Sequence, residues 1–225
     1  MCKMLRLETP EGRERILLHC CCAPCSGAVV ECMVQNGLRP ALFFSNSNIV
    51  PHEEYELRRG ELVRYAGQFG LEVIDDEYDH EAWLRFVLGE GKERQDELAA
   101  APERGPRCLQ CFKFRLLRAA QYAAGHGFDV LATTLASSRW KSLDQVDEAG
   151  RWACGEISDR STNSLPRPLG VQGDNNVPPK DRQVLWWNHN WRKGGLQPRR
   201  AEIIKEQNFY NQTWCGCEFS RRSRD

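Results

Sequence analysis

The fold class that this sequence predicts is α/β, with a mostly parallel sheet and flanking helices. Three observations carry that expectation. Short apolar runs alternate with longer helical segments, glycines close several of the helical segments, and the composition is that of a chain able to bury a core. The chain has 225 residues, 41% of them hydrophobic and 28% charged, which argues against general disorder. One domain over residues 1–225 is expected, with its core at about 15–154 and 183–220.

The first apolar run is RILLHC at 15–20, read as a strand. The turn CCAPC follows, then a helix from Ser26 to about Asn36, with Gly37 as its C-cap. PALFFS at 40–45 reads as the second strand, and a charged helix over 52–69 is closed by Gly70. Residues 71–75 read as the third strand, and Asp79 can cap a helix that runs through Leu88. Residues 89–107 are polar and contain Pro and Gly, so they read as a loop. A helix over 108–124 places Phe112, Leu116, Ala119, Ala120 and Ala123 on one face. DVLAT at 129–133 is the fourth strand, and 141–154 is helical. Residues 155–182, rich in Ser, Asn, Pro and Gly, read as an irregular insertion. A fifth strand at 183–187 and a short helix at 198–207 complete the pattern.

Charge excludes some function classes. Lys plus Arg and Asp plus Glu both total 31, so a broad nucleic-acid-wrapping surface is not expected and any such contact must be local. No apolar stretch approaches the ~20 residues of a membrane span. The start, MCKMLRLETPEGRER, has no apolar signal core, so the expected location is cytoplasmic. Charge is uneven along the chain. Residues 53–104 hold 15 acidic against 7 basic residues, whereas 191–225 hold 8 basic against 4 acidic. The basic segment is interleaved with Trp191, Phe209, Tyr210 and Trp214, a mixture suited to neutralising phosphates and stacking bases.

The chemistry lies in the 11 cysteines. An odd count with no secretory signal disfavours a disulfide scaffold. Cys2, Cys20, Cys32 and Cys154 read as small hydrophobes. The others form three groups. HCCCAPCS at 19–26 lies between a strand and a helix, where the crevice beyond a strand's carboxyl end and the helix dipole favour ligands and thiolates. In an extended chain Cys21 and Cys22 point apart, so they are not expected to share one core. RCLQC at 107–111 sets Cys108 and Cys111 at i, i+3 on one face of a helix start, with depressed pKa values expected. WCGCE at 214–218 offers Cys215 and Cys217, a CxC pair able to form a small reducible disulfide or to ligate a metal.

Spacing leaves two metals open. Compact zinc ribbons separate their pairs by about 15–20 residues, whereas 82 residues lie between Cys25 and Cys108. An iron–sulfur cluster can draw thiolates from distant loops. A redox-capable pair beside the metal group points to electron transfer, and no GxSxG, HExxH or P-loop sequence offers a competing reaction. The five histidines have no ligand spacing among themselves.

With these groups in place, the chain resembles the QueH-type epoxyqueuosine reductases. The residues that carry the resemblance are LLHCCCAPCS (17–26), FFSNSNIVPHEEYELR (43–58), RCLQCFKFRL (107–116), TTLASS (133–138) and RRAEIIKEQNFYNQTWCGCEFS (199–220), in the family's order. The resemblance implies a Rossmann-like, nucleotide-hydrolase-like domain that reduces epoxyqueuosine to queuosine at the tRNA wobble position without cobalamin. It implies a 4Fe–4S cluster on Cys21, Cys22, Cys108 and Cys111, with Cys215 and Cys217 as a redox-active pair. Cys25 is near enough to ligate the cluster or an additional metal ion. The implied substrate is tRNA carrying epoxyqueuosine in its anticodon; with no flavin or nicotinamide fingerprint in the chain, an external electron donor is expected, and so is a monomer without membrane contact. Candidate substrate contacts are Arg199, Arg200, Tyr210 and Trp214. The chain departs from the family's pattern at SSRWKS (137–142), where TTLxxSPxK is usual, and at WRKGGLQPRRAEIIKEQ (191–207), which lacks a usual tyrosine and serine. A reading of another class also fits CxxC and the basic tail: a zinc-stabilised nucleic-acid-binding module without activity. It leaves Cys21–Cys22 and Cys215–Cys217 without a purpose.

Overall fold

The computed structural model describes residues 5–158 and 183–221. Five parallel strands form one sheet in the order β3-β2-β1-β4-β5. They are β1 (Ile16–His19), β2 (Ala41–Phe44), β3 (Val73–Asp75), β4 (Val130–Thr133) and β5 (Leu185–Trp186). β1 lies at the centre, pairing with β2 through Leu18–Leu42 and with β4 through Leu18–Ala132. All four residues of β1 and of β4 are buried, as expected of strands covered on both faces. The sequence-derived α/β class with a parallel, Rossmann-like sheet is what the structure has.

The order reverses beside β1, because the chain moves outward to β2 and β3 and then returns to β4 on the other side. In open α/β sheets such a switch point opens a crevice beyond the carboxyl ends of the strands. Here the Cys21–Cys22 turn occupies it. Helix α1 (Ala23–Gln35) leaves that turn with proline in its first turn, where a missing N–H costs nothing. It begins three residues before the expected start at Ser26, since Pro24 suits a helix opening rather than interrupting one. α2 (His52–Gly67) connects β2 to β3. α3 (His80–Leu88) is capped as expected, Ala82 N–H donating to Asp79 Oδ1 at 2.8 Å.

The expected loop at 89–107 contains a helix, α4 (Lys92–Ala100). Its KERQDELAA sequence is rich in good helix formers, but only Leu98 is buried, so it carries no apolar periodicity to read. α5 (Pro106–Gly125) buries Phe112, Leu116, Ala119, Ala120 and Ala123, the expected face, and starts two residues earlier than the pattern suggests. α6 (Leu143–Ser158) packs along α5. β5 is shorter than the expected 183–187. α7 (Leu196–Glu206) packs on α1 and precedes a terminal helix, α8 (Glu218–Arg221). The expected insertion at 155–182 lies mostly outside the described residues, as do Cys2, Arg222 and Arg224; residues 155–158 belong to α6.

His19 is wholly buried in β1, with Nδ1 2.7 Å from Thr133 Oγ1 and Nε2 3.2 Å from the Ser45 carbonyl. Burial, aided by the Arg115 charge, lowers its pKa to about 3. It is a neutral residue that ties β1 to β4 and to the β2 end.

Edge strand β5 is held by Trp186, whose Nε1–H donates to Asp147 at 2.8 Å. The indole lies over Gly150 of α6, where an added Cβ would fall 2.2 Å from the ring. Replacing a helical glycine by alanine ordinarily stabilises by about 1 kcal/mol. Gly150→Ala should instead destabilise by about 1–3 kcal/mol through overpacking. A thermal melt checks this, and an increase in Tm would contradict the packing described.

Candidate active site

Three chain segments that are far apart in sequence meet at the carboxyl edge of the sheet. They are the β1–α1 turn, the first turn of α5, and the 211–217 segment before α8. Together they line a cavity of about 630 Å³. Seven cysteines face it: Cys21, Cys22, Cys25, Cys108, Cys111, Cys215 and Cys217. The sulfurs of Cys21, Cys22 and Cys25 all lie within 4.8 Å of one another, and those of Cys21 and Cys22 are 3.9 Å apart. The expectation that Cys21 and Cys22 point apart is therefore corrected. Extended backbone ends at Cys22, and the turn into α1 rotates the neighbouring side chains into one crevice. Cys25 belongs to this group as fully as the adjacent pair.

Local hydrogen bonds fix the turn. Cys21 N–H donates to Thr134 Oγ1 at 3.2 Å, Ser26 Oγ donates to the Cys22 carbonyl at 2.8 Å, and Asn46 Nδ2 donates to the Cys20 carbonyl at 2.9 Å. Cys20, Cys32 and Cys154 are buried and do not line the cavity, as expected of small apolar residues. Cys111 Sγ accepts from Trp83 Nε1–H at 3.4 Å, a contact that sets its direction.

Charge at the site is shared unevenly. Hydrogen bonds from Cys22 and Cys25, then the Lys141 and Arg115 charges, hold the Cys21 thiol well below its ordinary pKa. The contacts with Cys21 and Cys25, together with burial, push Cys22 upward. Cys108 and Cys111 do not have the depressed values expected of a helix start. Burial pushes both up to about 11, because desolvation outweighs the dipole. Cys217 is likewise raised by burial, to about 12. The cavity wall is strongly cationic: Arg58, Arg104, Arg107, Arg115, Lys141 and Arg200 face it against one acid, Glu103.

Lys141 was not singled out from sequence, although it stands at the lysine position of the TTLxxSPxK pattern. Its Nζ is 3.5 Å from Cys215 Sγ. Burial opposes its charge, but Cys215, Cys21 and Cys25 more than compensate and raise its pKa. Arg58 was also missed. Its guanidinium donates to the Cys215 carbonyl at 3.0 Å and the Trp214 carbonyl at 3.4 Å, while Nε donates to Glu54 at 2.8 Å. It also lies 5.5 Å from the Trp214 ring centroid. Gly216 between the two terminal cysteines has φ of 113°, and a Cβ there would sit 3.0 Å from Ile49 and 3.1 Å from Arg58. Only glycine fits that turn without strain.

The candidate substrate residues divide. Arg200 lines the cavity and donates to the Pro24 carbonyl at 2.7 Å. Trp214 lines it and Tyr210 does not; Tyr210 is 37% exposed nearby, so neither is a core aromatic. Arg199 lies outside the cavity lining. Its guanidinium is engaged by Glu31 at 2.8 Å, Glu206 at 2.8 Å and Glu202 at 3.1 Å, tying α7 to α1.

The donor set suits a thiophilic metal or cluster, since soft thiolates select zinc or iron–sulfur centres. The surroundings fit such a group as well. Asn48 is 1% exposed on the cavity wall, and both its amide atoms lack a hydrogen-bond partner, as expected beside a site built around a further group.

A family model described as epoxyqueuosine reductase QueH matches residues 16–162 and 172–223. The chain belongs to the QueH family. It is 38% identical to the epoxyqueuosine reductase QueH of Haemophilus influenzae, over 96% of this chain and 76% of that protein. It is 36% identical to the same-named protein of Acinetobacter baylyi, over 97% of this chain and 85% of that one. The Thermotoga maritima protein of that name is 30% identical over 93% of this chain and 91% of its own length. All seven cavity cysteines lie within the family match. The resemblance read from sequence is thereby established.

Arg58 and Glu54 form a buried pair with side chains 4% and 11% exposed. Removing one partner of such a pair typically costs about 3–5 kcal/mol. Arg58→Ala should therefore be strongly destabilised in urea, and Arg58→Ala with Glu54→Ala less so. A double variant no more stable than the single would mean that the ion pair is not what holds the 214–216 turn.

Proposed function

We propose that this QueH-family protein reduces epoxyqueuosine to queuosine at the wobble position of tRNA, using a 4Fe–4S cluster and no cobalamin. The observation that carries the reading is the meeting of seven cysteines from three distant segments in one cationic cavity. Cys21, Cys22, Cys108 and Cys111 would hold the cluster, with Cys25 as a further ligand to it or to an additional metal ion. The proximity of Cys25 to Cys21 and Cys22 supports that extra role. When bound, the cluster supplies electrons one at a time.

The chain's own residues supply the rest. Converting the epoxide to an alkene consumes two electrons and two protons and releases the oxygen as water. Lys141 holds a proton at Nζ beside Cys215, within the cavity where that oxygen must leave. Cys215 and Cys217 form the redox-active pair, carried on a turn fixed by Arg58 and Gly216. Arg200 and the neighbouring cations take backbone phosphates, and Trp214 offers a face to a base. Arg199 is left as a tie between helices. The reading includes an external electron donor and a cytoplasmic monomer. Among the described residues no helix is long and apolar enough to cross a membrane.

The direct experiment is anaerobic incubation of iron-loaded, chemically reduced protein with tRNA carrying epoxyqueuosine, followed by mass spectrometry of the nucleosides. Conversion to queuosine is expected, and unchanged epoxyqueuosine would overturn the proposal. Metal analysis separates the zinc-module reading: iron with acid-labile sulfide is expected, whereas zinc alone would support that other reading.

The cysteine roles are separable. Cys108→Ser and Cys111→Ser should lose most of the bound iron, because a hard hydroxyl replaces a soft thiolate poorly. Cys215→Ser and Cys217→Ser should keep most of it while turnover falls. Equal iron loss in both sets would assign all of these thiols to metal binding.

A further inference from the structure

Trp140 is the most exposed large apolar side chain among the described residues, at 72%, and it lines the mouth of the cysteine cavity. Leaving an indole in water forgoes the burial that makes tryptophan favourable. Its backbone is nevertheless fixed from two directions. Arg104 donates from Nε to the Trp140 carbonyl at 3.0 Å and from Nη2 to the Arg139 carbonyl at 3.1 Å. Arg192 donates from Nη2 to the carbonyls of Ser138 and Lys141, the latter at 2.6 Å. Two guanidinium groups thus anchor the backbone of 138–141 while the ring it carries stands in solvent.

The guanidinium groups that hold it are themselves unusual. Arg104 adopts a left-handed backbone with φ of 64°, a conformation that costs a non-glycine residue energy and that clusters at functional sites. Its own carbonyl accepts from Gln145 Nε2 at 2.9 Å, which locks the bend between α4 and α5. Arg139 is exposed, and Arg104, Arg139 and Arg192 crowd together. Arg192 feels this crowding: its pKa is lowered by burial and then by the other two charges. Mutual repulsion among these three cations is relieved when an anion binds between them, and the exposed indole beside them offers a flat face to stack on.

We infer that Trp140 is a stacking platform for the unpaired anticodon-loop base that neighbours the modified nucleotide, with Arg139 and Arg104 receiving the phosphate between them. The inference rests on the tRNA-reductase reading and adds to it a defined wall of the entrance. A nucleotide whose base enters the cavity must be splayed from its loop, and the exposed face of its neighbour then needs a replacement stacking partner. Trp140 stands at the point of entry. Trp214 lies on the 211–217 segment of the cavity lining and is engaged with Arg58, so the two indoles serve different positions. Surrounding cations give the platform its preference for a polyanion over a neutral partner.

The test uses the intact, iron-loaded protein and a labelled anticodon stem-loop RNA carrying epoxyqueuosine, with binding read by fluorescence anisotropy. Stacking a base on an aromatic contributes about 1–3 kcal/mol, so Trp140→Ala should weaken binding about 5- to 150-fold, and Trp140→Phe should recover most of the loss. The salt dependence of Trp140→Ala should match the parent, whereas Arg139→Ala should flatten the slope by about 0.7, one single-strand phosphate contact. An RNA with an abasic site beside the modified nucleotide completes a cycle. On one side of that nucleotide, base removal should weaken binding to the parent and add nothing in Trp140→Ala. If the parent binds and reduces the stem-loop but Trp140→Ala binds it equally well, this inference is wrong and the reductase reading stands. If abasic sites on either side weaken both proteins equally, the platform is likewise excluded. A parent protein that binds the stem-loop no better than an unrelated RNA hairpin and leaves its epoxide intact would remove the reductase reading, and this inference with it.

Discussion

Negative charge on buried sulfur is tolerable only where positive charge lies within a few ångströms. Cys21, Cys22 and Cys25 are buried together, and their thiols share charge through short contacts. Arg115 reaches toward this group from α5, anchored by its Nε–H to the Ser45 carbonyl at 3.2 Å and by its contact with Asn46. Lys141 approaches from the segment after β4. Arg115 is fixed by groups just beyond the carboxyl end of β2 and Lys141 contacts Cys215 on the terminal segment, so compensation of the thiols comes from both sides of the cavity. The cationic wall that would meet a phosphate backbone is the same wall that lets the sulfurs sit together.

Parallel topology supplies the geometry. Because all five strands point one way, every strand-to-helix turn emerges at one edge, and the reversal beside β1 leaves a gap there. The β1–α1 turn fills the floor of that gap, α5 brings Cys108 and Cys111 through its first turn, and the terminal segment closes over the top. Val50 N–H donates to the Gly216 carbonyl at 3.0 Å, joining the terminal turn to the end of the β2 connection. Segments separated by almost 200 residues in sequence thus share one cavity without any of them being long.

Much of this was legible in the sequence where periodicity and punctuation were strong. The strands of the central sheet, the apolar face of α5 and the Asp79 cap are local patterns, and they read correctly. α4 was hidden because a helix that buries one leucine shows no stripe. The thiol pKa values at the start of α5 were misjudged for a different reason: a dipole can be inferred from a helix start, whereas desolvation depends on what the rest of the chain places over it. Arg58 and Trp140 were illegible as cavity residues for the same cause, since contacts across the fold place them there, whereas Lys141 sits at the lysine of the family's pattern and could have been read from it. Arg199 shows the converse. A basic residue in a basic stretch looks available until three glutamates, one of them on another helix, are found around it.

The contact of Trp186 with Gly150 bears on how this chain could change over evolutionary time. It pins both margins of the connection between α6 and β5: the indole locks onto one helix turn, and the Asp147 carboxylate fixes its orientation. The edge strand is therefore tied to α6 as well as to its neighbour β4. A substitution at any one of Asp147, Gly150 or Trp186 meets the other two, so these three positions are constrained to change together.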